Sequence, residues 1–357
     1  MHREVFMQEP QKSRLALLAI SCFVMTILII IIGGYIRISD AGESCPDWPT
    51  CFGEVHPFVD EDSQGAWWAD NPDQIDSRGP DHRYTVPQIF SEWFHRLLVG
   101  IIAVPILYMA FLSHTKRDEF GEEIRALSFV AAILLFIQAV AGYITVRYDN
   151  VDWSVALHLS LAVGFAASLL WLWMLVERKS DNLFRSFDIS VEQANSVFPW
   201  LKIITFSVLI VLILGAWVAS TASGDYNQAC SVGGDGWPLC QGEIIPDVSQ
   251  TAISVQMIHR IGVIIVAAIL LAGVKQVGDE LQERGKAITH SLRWSLALLF
   301  VNLGVGGLYI LTATDGFVEW LSLLHLLFGV CTFFAAVYAL LIAKVTIQTA
   351  TSIGRHE

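Results

Sequence analysis

The sequence predicts an all-α integral membrane protein whose eight transmembrane helices form two tandem four-helix bundles, related by a pseudo-two-fold axis along the membrane normal. Three observations carry that expectation. Of the 357 residues, 54% are hydrophobic and 16% charged, and mean hydropathy is +0.54, so the bilayer rather than water is the natural solvent. Eight apolar windows reach the roughly 20 residues needed to cross about 30 Å of hydrocarbon. The second half of the chain also repeats motifs of the first, in the same order.

The windows cover residues 15–37, 88–112, 126–147, 154–176, 200–222, 253–275, 291–313 and 320–343. The first has too long an apolar run for a cleavable signal peptide, and no small-residue cleavage site follows it, so it is kept as a span. If the N-terminus is cytoplasmic, sixteen of the 22 Lys and Arg lie inside; Arg37, Arg78, Arg83, Arg96, Arg147 and Arg260 lie outside. The positive-inside rule therefore places both termini in the cytoplasm and the cysteine loops outside. The net charge of −12 comes largely from loop 38–87, acidic from Asp40 to Asp81. Such a loop argues against nucleic acid as a partner and against a polybasic lipid-binding surface.

The repeat sets the domain boundaries at 1–180 and 181–357. GGYIRISDAG (Gly33 to Gly42) aligns with GAWVASTASG (Gly215 to Gly224) at an offset of 182. CPDWPTC (Cys45 to Cys51) is matched by CSVGGDGWPLC (Cys230 to Cys240), and EWFHR, ending at Arg96, by QMIHR, ending at Arg260, at an offset of 164. QAVAG (Gln138 to Gly142) keeps that offset against NLGVG (Asn302 to Gly306), and His158 pairs with His325 at 167. An even number of spans separates the copies, so both halves sit the same way up, as parallel repeats do.

His95, His158, His259 and His325 fall in the four even-numbered spans, each roughly one to two turns below the outer surface. A lone intramembrane histidine is explained by a hydrogen bond to a neighbouring helix. Four at matched depth, two per repeat, instead match the way facing helices of a bundle hold a cofactor in its core. Imidazole suits iron, whereas zinc favours a mixed N, O or S shell. The expectation is two bis-histidine haem sites, His95 with His158 and His259 with His325.

Arg96 and Arg260 each follow one of these histidines and point toward the outer interface, where haem propionates need charged partners. Arg37 and Arg147 could serve likewise, or snorkel to lipid phosphates. Glu92 lies three residues before His95 on the same helical face, while Gln256 holds the matching place before His259. An intramembrane carboxyl is costly unless functional or paired. The asymmetry suggests proton-transfer chemistry in the N-terminal half and a stationary electron-carrying haem in the C-terminal half; a structural ion pair with a nearby arginine is the plainer alternative. The pairs Cys45 with Cys51 and Cys230 with Cys240 are close enough to close local disulfides, with the repeat favouring pairing within each loop. They are read as staples, or, for the first pair, as an electron relay. Cys22 and Cys331 lie alone in spans, as small apolar residues do.

Taken together, ExxHR in the second span, His158 in the fourth, HR in the sixth, His325 in the eighth and the two outer cysteine pairs resemble the haem A synthase family over nearly the whole chain. The resemblance implies a haem b cofactor on His259 and His325, and a substrate site for haem O, the precursor of product haem A, on His95 and His158. It also implies an essential acid at Glu92 and oxidation of the C8 methyl of haem O to a formyl group in a bacterial-type cell membrane or an organellar inner membrane. Haem O synthase and terminal oxidase assembly factors, besides membrane lipid, become the expected partners. Two imidazoles leave no open position on iron, so either one histidine leaves or electron and proton abstraction is followed by attack of water; the second is the expected route, with Glu92 taking the proton. Loop 38–87, carrying Trp67 and Trp68, is longer than the family leads one to expect; a lid, a partner surface or a lineage feature would each account for it. A di-haem b-type electron carrier would use the four histidines but leave Glu92 idle, and a disulfide-generating quinone oxidoreductase would use the loop cysteines without haem. A transporter is least supported, since no discontinuous helix or midplane charge track stands out.

Overall fold

The computed structural model describes residues 9–179, 187–219, 229–313 and 319–353. Eight long helices run through them: α1 Glu9–Ile38, α2 Val86–Thr115, α3 Glu122–Arg147, α4 Asp152–Lys179, α5 Val191–Val218, α6 Thr251–Leu281, α7 Lys286–Leu311 and α8 Glu319–Ile353. All eight are long and apolar enough to cross a bilayer. A helix satisfies its backbone groups internally, the condition that hydrocarbon imposes on any spanning segment.

Each expected span coincides with one helix, but several boundaries move. Hydropathy reports only the stretch that meets lipid, whereas a helix continues until its end groups find other partners. The largest shift at a helix start is in α5, which begins at Val191 rather than 200. There a capping box forms, with Gln193 N–H donating to Ser190 Oγ and Ser190 N–H to Gln193 Oε1, both at 3.1 Å. It ends at Val218, and the expected residues 220–222 lie outside those described. α2 begins beside Pro87, where the missing N–H is one of the unpaired donors anyway.

Packing follows one plan twice. α1 touches α2 and α4, and α3 touches α2 and α4; likewise α5 touches α6 and α8, and α7 touches α6 and α8. Each half is thus a ring in which α2 faces α4, or α6 faces α8, across a diagonal. The rings meet where α4 contacts α5 and α8, and α1 contacts α8. In keeping with that position, α4 and α8 have 61% and 50% of their membrane windows buried, against 17–33% for the other six. Leu107, Phe111, Phe136 and Ile264 are among the apolar side chains turned outward, as lipid contact permits.

At one end of the bundle sit the cysteine loops. Cys45–Cys51 and Cys230–Cys240 are disulfides with Cα separations of 4.5 and 4.3 Å. Each is followed by a single bridge, Cys51 to Glu54 and Cys240 to Glu243. The long first loop is itself folded, which sequence reading did not foresee. Asp60 caps a helix at Glu61–Asp70 by accepting from Ser63 N–H at 2.8 Å. Gln64 then pins the returning chain: its Nε2 donates to Tyr84 O at 3.0 Å, and its Oε1 accepts from Tyr84 N–H at 2.8 Å. Phe52, Val59, Trp68, Tyr84 and Ile89 close over the first disulfide, leaving both its cysteines fully buried.

Candidate functional site

The diagonal pairing brings the predicted histidines together. The rings of His259 on α6 and His325 on α8 have centroids 6.4 Å apart, with planes at 80°. Two imidazoles bonded to one metal at about 2 Å each would place their ring centres about 6 Å apart. His95 on α2 and His158 on α4 face each other in the first ring, close enough to interact electrostatically. All four are partly buried.

Each of these histidines packs closely against a glycine on the neighbouring odd-numbered helix. A Cβ at Gly33 of α1 would lie 3.5 Å from His95 Nε2, and one at Gly142 of α3 would lie 3.0 Å from His158 Cε1. At Gly215 of α5 it would lie 3.0 Å from His259 Cε1, and at Gly306 of α7 2.7 Å from His325 Cε1. Each histidine therefore has a backbone wall without a side chain. These glycines occupy matching places in the aligned strings, so the signal was present; sequence reading used them for alignment and missed their task.

The donor chemistry fits a haem. His325 Nδ1 lies 3.1 Å from the backbone oxygen of Asn302 on α7. A carbonyl only accepts, so Nδ1 carries the proton and Nε2 is left with a free lone pair. His259 hydrogen-bonds the backbone of Val211 and leaves its buried Nδ1 without a partner. Among the described residues, no group of three or more His, Cys, Asp or Glu is assembled that could hold a metal ion. A metal held by one of these pairs must bring its remaining ligands, as haem iron does.

Glu92 is buried, and its hydrogen bonds go to the cysteine loop and to its own helix. Oε2 accepts from Cys45 N–H at 3.0 Å and from Ser44 Oγ at 3.1 Å, and Oε1 pairs with Arg96 Nη2 at 2.5 Å. The guanidinium of Arg96 also donates to the backbone oxygens of Cys45 at 2.6 Å, Thr50 at 2.9 Å and Asp47. Arg260 does the same in the second half, donating to Leu239 O and Gly236 O at 2.8 Å each. Both arginines, expected near propionates, are thus placed as clamps on the carbonyls of their cysteine loops. Arg37 reaches across to the second half, donating to Ala219 O and, at 2.5 Å, to Ser322 Oγ. Ala219 is its own repeat equivalent. Arg147 donates to Asp73 O at 2.9 Å in the long loop.

Fold and site together define an eight-span helical membrane protein with two diagonal imidazole pairs and an anchored carboxylate beside one of them. The family model described as cytochrome oxidase assembly protein, COX15-CtaA, matches residues 16–337, and the chain belongs to that family. Among curated proteins it is similar to the heme A synthase of Shouchella clausii, at 27% identity over 69% of this chain and 70% of that protein. The heme A synthase of Shewanella oneidensis is 25% identical over 79% and 84% respectively, and that of Geobacillus kaustophilus 25% over 94% of each.

Proposed function

We propose that this protein is a haem A synthase, an oxidoreductase that converts the C8 methyl of haem O to the formyl group of haem A. The observation that carries the reading is the diagonal pairing of His259 with His325, each packed against a glycine of the neighbouring helix, in a chain of this family. In this reading residues 1–180 hold the substrate on His95 and His158, and residues 181–357 hold a resident haem b on His259 and His325. The two halves are a fused duplication related by a two-fold axis along the membrane normal. Both termini face the cytoplasm and the cysteine loops face outward. Haem O synthase and terminal oxidase assembly factors are the natural neighbours, one supplying the substrate and the other taking the product.

The resident haem would supply electron transfer away from the substrate. The chain's own residues do the rest. The two histidine pairs would orient the macrocycles, and the glycines give the imidazoles room against the neighbouring helices. Glu92 is anchored by hydrogen bonds from Arg96, Ser44 and Cys45, and it accepts a proton from the substrate side by giving up its contact with Arg96. In the alternative, a di-haem b-type carrier, the same ion pair would be structure alone and Glu92 would have no part in chemistry. Extraction and mass identification of the bound pigments separates the two. A synthase yields haem b together with haem O or haem A; two equivalents of haem b and nothing else would refute it.

A further inference from the structure

Arg37 belongs to the first half by sequence and to the second by contact. It lies in the last turn of α1, and the repeat pairs it with Ala219 at the end of α5. Its half-buried guanidinium crosses the seam between the two rings: Nη1 donates to Ala219 O, and Nη2 donates to Ser322 Oγ of α8 at 2.5 Å. Ser322 is buried and stands three residues before His325, on the same face of α8 and about 4.5 Å along its axis. The charge is close enough to act on the His325 ring. In such surroundings it is screened far less than a charge in open water.

The loan runs one way. Carrying the same contact through the repeat puts Ala219 in the place of Arg37 and Val155 in the place of Ser322, so an alanine and a valine hold the matching positions above His158. Neither can bring a charge there. The first half instead ties its own Arg96 to Glu92 in an ion pair, while the second has Arg260 with a neutral Gln256 three residues before His259. A cation drawn from the N-terminal half is thus built into the outer end of the C-terminal histidine pair.

We infer that Arg37 acts across the seam as the cation that raises the reduction potential of the haem on His259 and His325, biasing electron flow from the N-terminal site toward the C-terminal one. The inference rests on the part of the haem A synthase reading that places a haem on that pair. An electron arriving there lowers the charge of the site by one, and a fixed positive charge nearby favours the change. At an effective dielectric near 20, a unit charge within about 10 Å alters the ratio of reduced to oxidised haem by about tenfold. The duplicated halves would otherwise offer an electron two similar sites, and Arg37 makes them unequal without altering a ligand.

The test is a redox titration of purified, detergent-solubilised full-length protein, followed by visible absorption, with bound haems identified by mass. His158→Ala removes one imidazole of the N-terminal pair and so shows which wave belongs to the C-terminal haem. Arg37→Gln removes the charge and keeps an amide donor. At a fixed potential the reduced fraction of the C-terminal haem should fall about tenfold relative to the oxidised, a drop of about 59 mV in midpoint. Arg37→Lys keeps the charge and should show less than half of that drop. An unchanged midpoint in a Gln variant that retains this haem overturns the inference, as does an equal drop in both variants, since contact rather than charge would then be the cause. A shift confined to the N-terminal haem overturns it too. Loss of the C-terminal haem from the Gln variant but not the Lys variant supports a charge acting on that site, and loss from both overturns it. The functional reading fails separately: wild-type protein with two equivalents of haem b and no haem O or haem A refutes the synthase while leaving this titration in force.

Discussion

The two imidazole pairs occupy the same place in their bundles but are supported by different materials. Around His325 the supporting atom belongs to the main chain, and around His158 it belongs to a side chain. Near the first pair a carboxylate, Glu92, ties helix to loop, while Gln256 stands at the matching position near the second. One cysteine loop is short; the other carries a folded segment of its own, Glu61–Asp70, under an aromatic cluster. Main-chain supports are rigid and side-chain supports can move, which in the proposed haem A synthase reading suits a C-terminal half that retains its haem and an N-terminal half that exchanges and reacts.

The most drastic way to break this comparison is to displace one histidine of a pair. In Gly306→Val the new Cβ would meet His325 Cε1 at 2.7 Å, and in Gly142→Val it would meet His158 Cε1 at 3.0 Å, both tighter than ordinary contact. Each variant should lose about one equivalent of haem per chain, with mass identification showing haem b missing from the first and haem O or haem A from the second. If either substitution empties both sites, the halves do not bind independently.

Next in size is Glu92→Gln, which gives the first half the residue that the second half already has. Oε1 of a glutamine can still accept from Cys45 and Ser44, so loop and haem content should survive. Conversion of haem O should fall by about 10² or more, the usual contribution of a positioned proton acceptor. Haem A formed at the wild-type rate would leave Glu92 as a clamp only, and the contrast with Gln256 would then be one of stability.

Much of this was legible in the sequence, and the gaps have physical causes. All eight helices were visible because lipid contact demands some 20 apolar residues in a row. The four histidines were visible because imidazole is rare among such runs, and the disulfides because the loop motifs repeat. The start of α5 was missed because Ser190 and Gln193 act through a local cap that carries no hydropathy. The helix at Glu61–Asp70 escaped because its stability comes from Gln64 and Tyr84, twenty residues apart, a contact that no local pattern encodes. Arg96 and Arg260 were expected to meet haem propionates, whereas the structure has them donating to carbonyls of the cysteine loops. That outcome depends on where the loop folds back, which only the tertiary structure supplies. Gln138 and Asn302 were read as alignment marks, because the difference between them is one methylene and the identity of the atom that reaches the ring.

The smallest effect concerns the loops, whose charges differ as much as their lengths. Glu43 is 5% exposed; burial pushes its carboxyl up from the ordinary 4.5 to about 7, against the opposing pull of Arg78 and a hydrogen bond from Asn150. Asp76 and Asp149 add to the upward shift, and burial raises Asp149 in turn. A raised carboxyl binds more protons in the folded state than in the unfolded one. Its stability is therefore fully present below about 4.5 and declines as pH rises through about 7. In the second half, Asp247 is held below its ordinary 3.8 by the Ser249 amide, as Asp60 is by Ser63 in the first; both act only on the acid side of that window. Hydrogen exchange of the amides around Trp68, corrected for intrinsic rates, should therefore report local opening about tenfold more frequent at pH 8 than at pH 5. Amides around Cys240 should show no such trend. Glu43→Gln should flatten the first profile toward the second, and an undiminished slope in that variant would mean that some other group in the N-terminal loop carries the pH dependence.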